Sequence, residues 1–204
     1  MAATLHPKLQ LPELDYGLDA LEKTIPKPLI DHHYKFHKTH IDEYNTAVEF
    51  LPACRRRSSV ASDTEMQQSK IDMLAEEHAN YCLFWKNLSP NGGEPSGKLA
   101  KQIASQYGSL DELIDKFNEK LESTNRGWVF LVKKRGSPEL DIVDRNIPLS
   151  TIPLLVIDAW DEWKEDQFKI SREKYFAEIW DIINWNEVQK RYTSENMAID
   201  EDSE

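Results

Sequence analysis

The sequence predicts an α+β chain: an N-terminal hairpin of two long helices, then a lobe of shorter helices around a small three-stranded antiparallel sheet. Three observations carry this. Helical periodicity fills most of the first ninety residues, a Pro- and Gly-rich segment at 87–97 then interrupts it, and short β-branched runs alternate with helical patterns beyond the break. The expected boundaries are a helical-hairpin lobe over 1–90, an α+β lobe over 91–193 and an acidic, disordered tail over 194–204.

The first helix is expected over 28–51, with prolines at or before its start and none inside. His32, Phe36, His40 and Tyr44 recur at i+4 and are read as one face. Residues 52–63 read as a polar turn, after which Thr64 and Gln67 form a capping box that opens a second helix. Along it Ile71, Leu74, His78, Tyr81 and Trp85 follow helical spacing, so the two helices fold back as an antiparallel pair. Past the break come a helix at 98–107 and another capped by Ser109 with Glu112, running to about 123. Strands are expected at 128–133 and 140–143, joined by the turn Arg135-Gly136-Ser137-Pro138, and a third at 154–158. One closing helix over 172–191 would bury Tyr175, Ile179, Ile182, Ile183 and Trp185.

Composition limits the function. A chain of 204 residues, 40% hydrophobic with six tryptophans, can build a sizeable core. A net charge of -11 argues against neutralising phosphates, so nucleic acid is not an expected partner; Arg55, Arg56 and Arg57 read as a solvated loop tip. No apolar run is long enough to span a membrane. The first residues lack a secretory or Arg/Ser-rich pattern, which points to the cytoplasm, or to mitochondria if a presequence has been removed. Cys54 and Cys82 suggest neither a disulfide framework nor a thiolate metal site; Cys82 reads as a small core residue.

Several ordered segments carry more specific information. Leu11-Pro12-Glu13-Leu14-Asp15-Tyr16 with Leu21-Glu22 comes first, then Phe84-Trp85-Lys86-Asn87-Leu88-Ser89-Pro90-Asn91-Gly92-Gly93 and Gly127-Trp128. Ile152-Pro153-Leu154-Leu155-Val156-Ile157-Asp158-Ala159-Trp160, Ile183-Asn184-Trp185 and Arg191-Tyr192 complete the set. Together they resemble the iron/manganese superoxide dismutases, in that family's order, from near residue 11 to residue 192. The resemblance implies the hairpin-plus-α/β fold and an ion held by three histidines and one aspartate.

By this resemblance Asp158 stands at the aspartate position and His32 at that of the first histidine, whereas Tyr81 and Glu162 stand at the other two. His40 falls where the family has a gateway tyrosine, Phe36 replaces a nearby histidine, and Asn146 falls where a glutamine or histidine would bond the metal-bound solvent. Asp161 and Glu165 replace residues of the family's dimer contact.

Exchanging two neutral imidazoles for a phenol and a carboxylate would add negative charge and favour the oxidised ion, so the expectation is lost dismutase activity. In its place a polar pocket would do metal-independent acid/base work on a small organic molecule, with His32, His40, Tyr81, Asp158 and Glu162 as its chemistry. Phe36, Tyr44, His78, Trp85, Trp128, Asn146 and Trp160 would line it. No cofactor is expected, with iron or manganese at the residual positions His32 and Asp158 as the alternative. His33 and His37 are read as facing solvent or the lobe contact, His78 as a satisfied structural histidine, and Trp85, Trp128, Trp160 and Trp163 as core. Two further readings stand beside this one: a structural subunit such as the dismutase-like proteins of the fungal mitochondrial small ribosomal subunit, and a divergent iron- or manganese-binding oxidoreductase. The partners expected are a small-molecule substrate and a homodimeric or heteromeric assembly.

Overall fold

A computed structural model describes residues 6–57, 61–144, 147–159 and 165–194. Two long helices, α1 (Lys27–Arg57) and α2 (Ala61–Lys86), pack along each other as the expected hairpin. α1 runs past Pro52 rather than ending before it. Proline lacks the amide that would bond one turn back, but Pro52 lies on the exposed face, where its cost is tolerated. The capping box is not formed either, because α2 starts before Thr64; Gln67 instead donates its amide to the Ala47 carbonyl and ties the two helices together (3.0 Å).

The second lobe begins with α3 (Gly97–Tyr107) and α4 (Leu110–Ser123), the latter capped as expected by Ser109 accepting from the Glu112 amide (3.1 Å). The strands are β1 (Trp128–Lys134), β2 (Leu140–Asp144) and β3 (Thr151–Asp158), in the antiparallel order β2-β1-β3. β3 is three residues longer at its start than the sequence suggests. It is an edge of this sheet, which accommodates Pro153, and its register with β1 shifts beside that residue. A short helix α5 (Glu165–Phe168) and α6 (Arg172–Glu178) follow.

The expected single closing helix is broken. After α6 comes a 3-10 turn at Ile179–Ile182, Ile183 is extended, and a new helix α7 (Trp185–Thr193) is capped by the Asn184 side chain. The break has a physical cause. Ile183 bridges to Leu88, the Ser89 amide bonds the Ile182 carbonyl (2.8 Å) and the Asn184 amide bonds the Asn87 carbonyl (2.7 Å), so the end of α2 pulls this backbone out of helix. Gly92 closes the same junction: its φ is +57°, and a Cβ there would lie 2.0 Å from the Asp181 carbonyl oxygen. Buried Arg191 completes the seam by donating to Asn87 Oδ1 and to the Leu154 carbonyl (2.9 Å).

The main core joins the base of the hairpin to the sheet and the C-terminal helices, and a smaller one of Tyr44, Ala47, Leu51, Ile71 and Leu74 fills the far end of the hairpin. Two features fix the end of β3 where the site lies. The Ala159 amide bonds the Gly127 carbonyl (2.8 Å), and Arg172 clamps the Leu121, Thr124 and Ala159 carbonyls at 3.1, 2.8 and 3.2 Å. None of the described helices is long and apolar enough to cross a membrane.

Candidate metal centre

The centre forms where α1 and α2 meet the end of the sheet. Register places Trp128, first in β1, opposite Asp158, last in β3. Asp158 is 2% exposed, and its Oδ2 lies 3.4 Å from Nδ1 of His33, itself 4% exposed. Nε2 of His33 is buried with no hydrogen-bond partner among the described residues. Burial, and the neighbouring His32, push the His33 imidazole down to about 3, so it is neutral.

Two phenols share this space. Tyr81 on α2 and Tyr175 on α6 are both buried, and burial followed by the charge of Asp158 raises both well above the usual tyrosine value. Phe84 sits 5.3 Å from the His33 ring, and Trp128 meets Tyr81 edge-on at 4.8 Å. Glu77, one helical turn before Tyr81, accepts the Trp128 indole N–H at 3.0 Å.

The histidine beside Asp158 is therefore His33 and not His32, the residue that the resemblance puts at the first histidine position. His32 is exposed and packs its ring on Phe36 (5.7 Å) and Phe168 (4.9 Å). Phe36 also meets His40 at 4.6 Å, and His40 lies 6.0 Å from Tyr81 with its Nδ1 buried and unpartnered among the described residues, so these side chains flank the centre from outside. Tyr44 is not at the centre; it belongs to the smaller core, two helical turns beyond His37. Asn146, Trp160, Asp161, Glu162 and Trp163 lie outside the described residues, as do the side chain of Glu165 and the tail beyond 194. Sequence reasoning missed His33, His37, Glu77 and Tyr175 as members of the site.

His37 is fully buried instead of facing solvent. The Trp85 indole N–H donates to its Nδ1 (3.2 Å), so the proton of the neutral ring is on Nε2, which donates to His78 Nδ1 (2.8 Å). His78 then carries its proton on Nε2, 3.5 Å from Cys82 Sγ. His37, His78 and Cys82 are close enough to share an ion, with ligand atoms within 4.8 Å of one another. To lend Nε2, however, His37 would have to move its proton to Nδ1, against the Trp85 N–H. The group is a directed hydrogen-bond chain that locks α1 to α2 above the centre. His78 is thereby satisfied, and Cys82 is a half-buried member of the chain rather than core.

This burial has a pH signature. Burial, then the neighbouring His78 and His40, lower His37 to about 3, and burial lowers His78. As pH falls below the unfolded value of about 6.5, the unfolded chain takes up protons that the native state refuses until about 3, so stability is full above that window and is lost through it. In metal-free protein the unfolding free energy from urea titration is expected to drop between pH 7 and 5, at up to about 1.4 kcal/mol per pH unit for each such histidine. His37→Gln should flatten that slope; an unchanged slope would contradict the assignment.

Comparisons with known proteins give a consistent picture. The family model described as iron/manganese superoxide dismutases, alpha-hairpin domain, matches residues 8–89, and the corresponding C-terminal domain matches 95–191. A relative from Debaryomyces hansenii, named probable superoxide dismutase [Mn], mitochondrial, is 38% identical over 92% of this chain and 94% of its own length. The mitochondrial superoxide dismutase [Mn] of Saccharomyces cerevisiae is 37% identical over 91% and 87%, and the superoxide dismutase [Mn] of Listeria monocytogenes 34% over 90% and 96%. These relatives overturn the expectation of a pseudo-dismutase turned to metal-independent acid/base chemistry, which inferred lost activity from residue exchanges alone, and with it the structural-subunit reading. They also remove the ground for expecting no cofactor, since the matched family is defined by iron or manganese.

Proposed function

The chain belongs to the iron/manganese superoxide dismutase family, and on that premise we propose that it dismutates superoxide at a manganese centre built on His33 and Asp158. The observation that carries this reading is the buried His33, whose Nδ1 lies 3.4 Å from Oδ2 of the buried Asp158 and whose Nε2 has no hydrogen-bond partner among the described residues.

The residues fit such an ion. His33 offers an imidazole nitrogen and Asp158 a carboxylate, and the Tyr81 phenol stands in the same pocket; one nitrogen with hard oxygens suits manganese or iron. Against the family pattern of three histidines and one aspartate, Asp158 and one histidine of the His32-His33 pair remain, while Tyr81 and Glu162 exchange imidazoles for oxygen donors. When bound, the ion supplies one-electron chemistry, taking an electron from one superoxide and giving it to a second.

The chain's own residues do the rest. Phe84 and Trp128 wall the buried side against water, and Asp158 sets a negative field that favours a cation there. Forming dioxygen and hydrogen peroxide from two superoxide ions consumes two protons. Without the ion, burial and then the charge of Asp158 keep the Tyr81 and Tyr175 phenols protonated beside the reacting space. His32, Phe36 and His40 flank the approach. The names of the fungal relatives favour a mitochondrial site of action.

Protein made in manganese-supplemented medium is expected to carry near-stoichiometric manganese and to accelerate superoxide decay in stopped flow. Metal-loaded protein, with manganese or with iron, that leaves the decay at the rate of the free ion would end this reading.

A further inference from the structure

Glu77 stands out because nothing in the chemistry above requires it. It is half-buried on α2, one turn before Tyr81, and its Oε2 takes the Trp128 indole N–H at 3.0 Å. Trp128 is 3% exposed, stands edge-on to Tyr81 at 4.8 Å and 89°, lies 5.8 Å from Phe84, and pairs in register with Asp158. One carboxylate thus connects the helix bearing Tyr81 with the strand end that carries the aromatic wall. A neutral acceptor would satisfy an indole N–H; a carboxylate makes a stronger, charge-assisted bond and brings a second negative charge to the side of the pocket that faces Tyr81.

We propose that Glu77 is a positioning residue of the centre: by gripping Trp128 it holds the indole edge against the Tyr81 phenol and so fixes where that oxygen sits relative to His33 and Asp158. The inference rests on the metal-centre reading above. It assigns Glu77 no contact with the ion or the substrate. Glu77 acts through Trp128, and Trp128 acts through the Tyr81 ring. The acceptor oxygen matters most and the charge second, so the amide isostere retains the function while truncation loses it.

The test compares Glu77→Gln and Glu77→Ala with the native chain, reading manganese affinity by chelator competition, the electron paramagnetic resonance spectrum of bound Mn(II), and dismutation rate per bound ion. Glu77→Ala is expected to weaken manganese binding by about tenfold, the lower end of the range typical of partners bonded directly to metal ligands because Glu77 acts through two rings, and to alter the spectrum. Glu77→Gln is expected to keep both within about threefold of the native chain, below that range. Should Glu77→Ala lose only thermal stability, with affinity, spectrum and rate per ion unchanged, Glu77 merely satisfies an indole and the proposal falls. If the native chain itself takes up no manganese, the reading of the centre has failed instead, so the two failures are told apart.

Discussion

Replacing His33 by alanine is expected to strip the centre of manganese, whereas the same change at the adjacent His32 leaves it loaded. His33 is buried with its ring beside Asp158, while His32 is exposed and packs on Phe36 and Phe168 at the rim. Losing an outer partner of a metal ligand typically costs about 10–100-fold in affinity, and His33→Ala, which removes a ligand itself, should exceed that; His32→Ala should stay below it. Metal content per chain after dialysis, with the rate per bound ion, measures both. If His32→Ala empties the centre and His33→Ala does not, the helix register described above is wrong. Cavity effects alone do not mimic the expected result, since His33→Gln, which keeps much of the bulk, should lose the ion too.

This pair of neighbours also shows how far the sequence could be read. The fold class was legible: the hairpin, the interruption near 87–97, the Ser109 cap and three strands all stand where pattern and turn chemistry put them. Stepping along α1 by fours, from His32 through Phe36 and His40 to Tyr44, misled because each step overshoots a helical turn by about 40°, so the series leaves its starting face. The buried series is Ile30, His33, His37, Ile41, Tyr44, Ala47 and Leu51, stepping by threes and fours in equal number as an inward stripe does. Ile30, Ile41 and Leu51 were a signal able to set that register, because they are the apolar members of one stripe.

Other parts were not legible, for a different reason. The single closing helix was a fair inference from apolar spacing, but backbone bonds from Asn87 and Ser89, some ninety residues earlier in the chain, override it. Glu77 reads as an ordinary solvated helix residue until Trp128, fifty-one positions away, arrives against it. His37 and His78 likewise become a chain only when α1 and α2 pair. In each case the deciding partner is distant in sequence. The inference of lost activity failed differently: it took the negative charge added by a phenol and a carboxylate to end the redox chemistry, although both are themselves competent donors toward hard ions.

Asp158→Asn is expected to separate function from stability. The groups around this carboxylate include His33, held neutral by burial, and the Tyr81 and Tyr175 phenols, whose protons its own charge helps to retain. Burial opposes keeping an ionised carboxylate at this depth in the metal-free chain, and a neutral isostere in such a place often costs nothing or stabilises. Metal-free Asp158→Asn should therefore unfold within about 1 kcal/mol of the native chain, or be more stable, by urea titration. With manganese the order reverses. A ligand that binds only the folded state stabilises it in proportion to its affinity, so the native chain should gain and the variant should not, while dismutation falls with the lost ion. A variant markedly less stable without metal would mean that Asp158 is a structural anchor. The opposite outcome, stability kept and the ion lost, is what a charge retained for binding a cation requires.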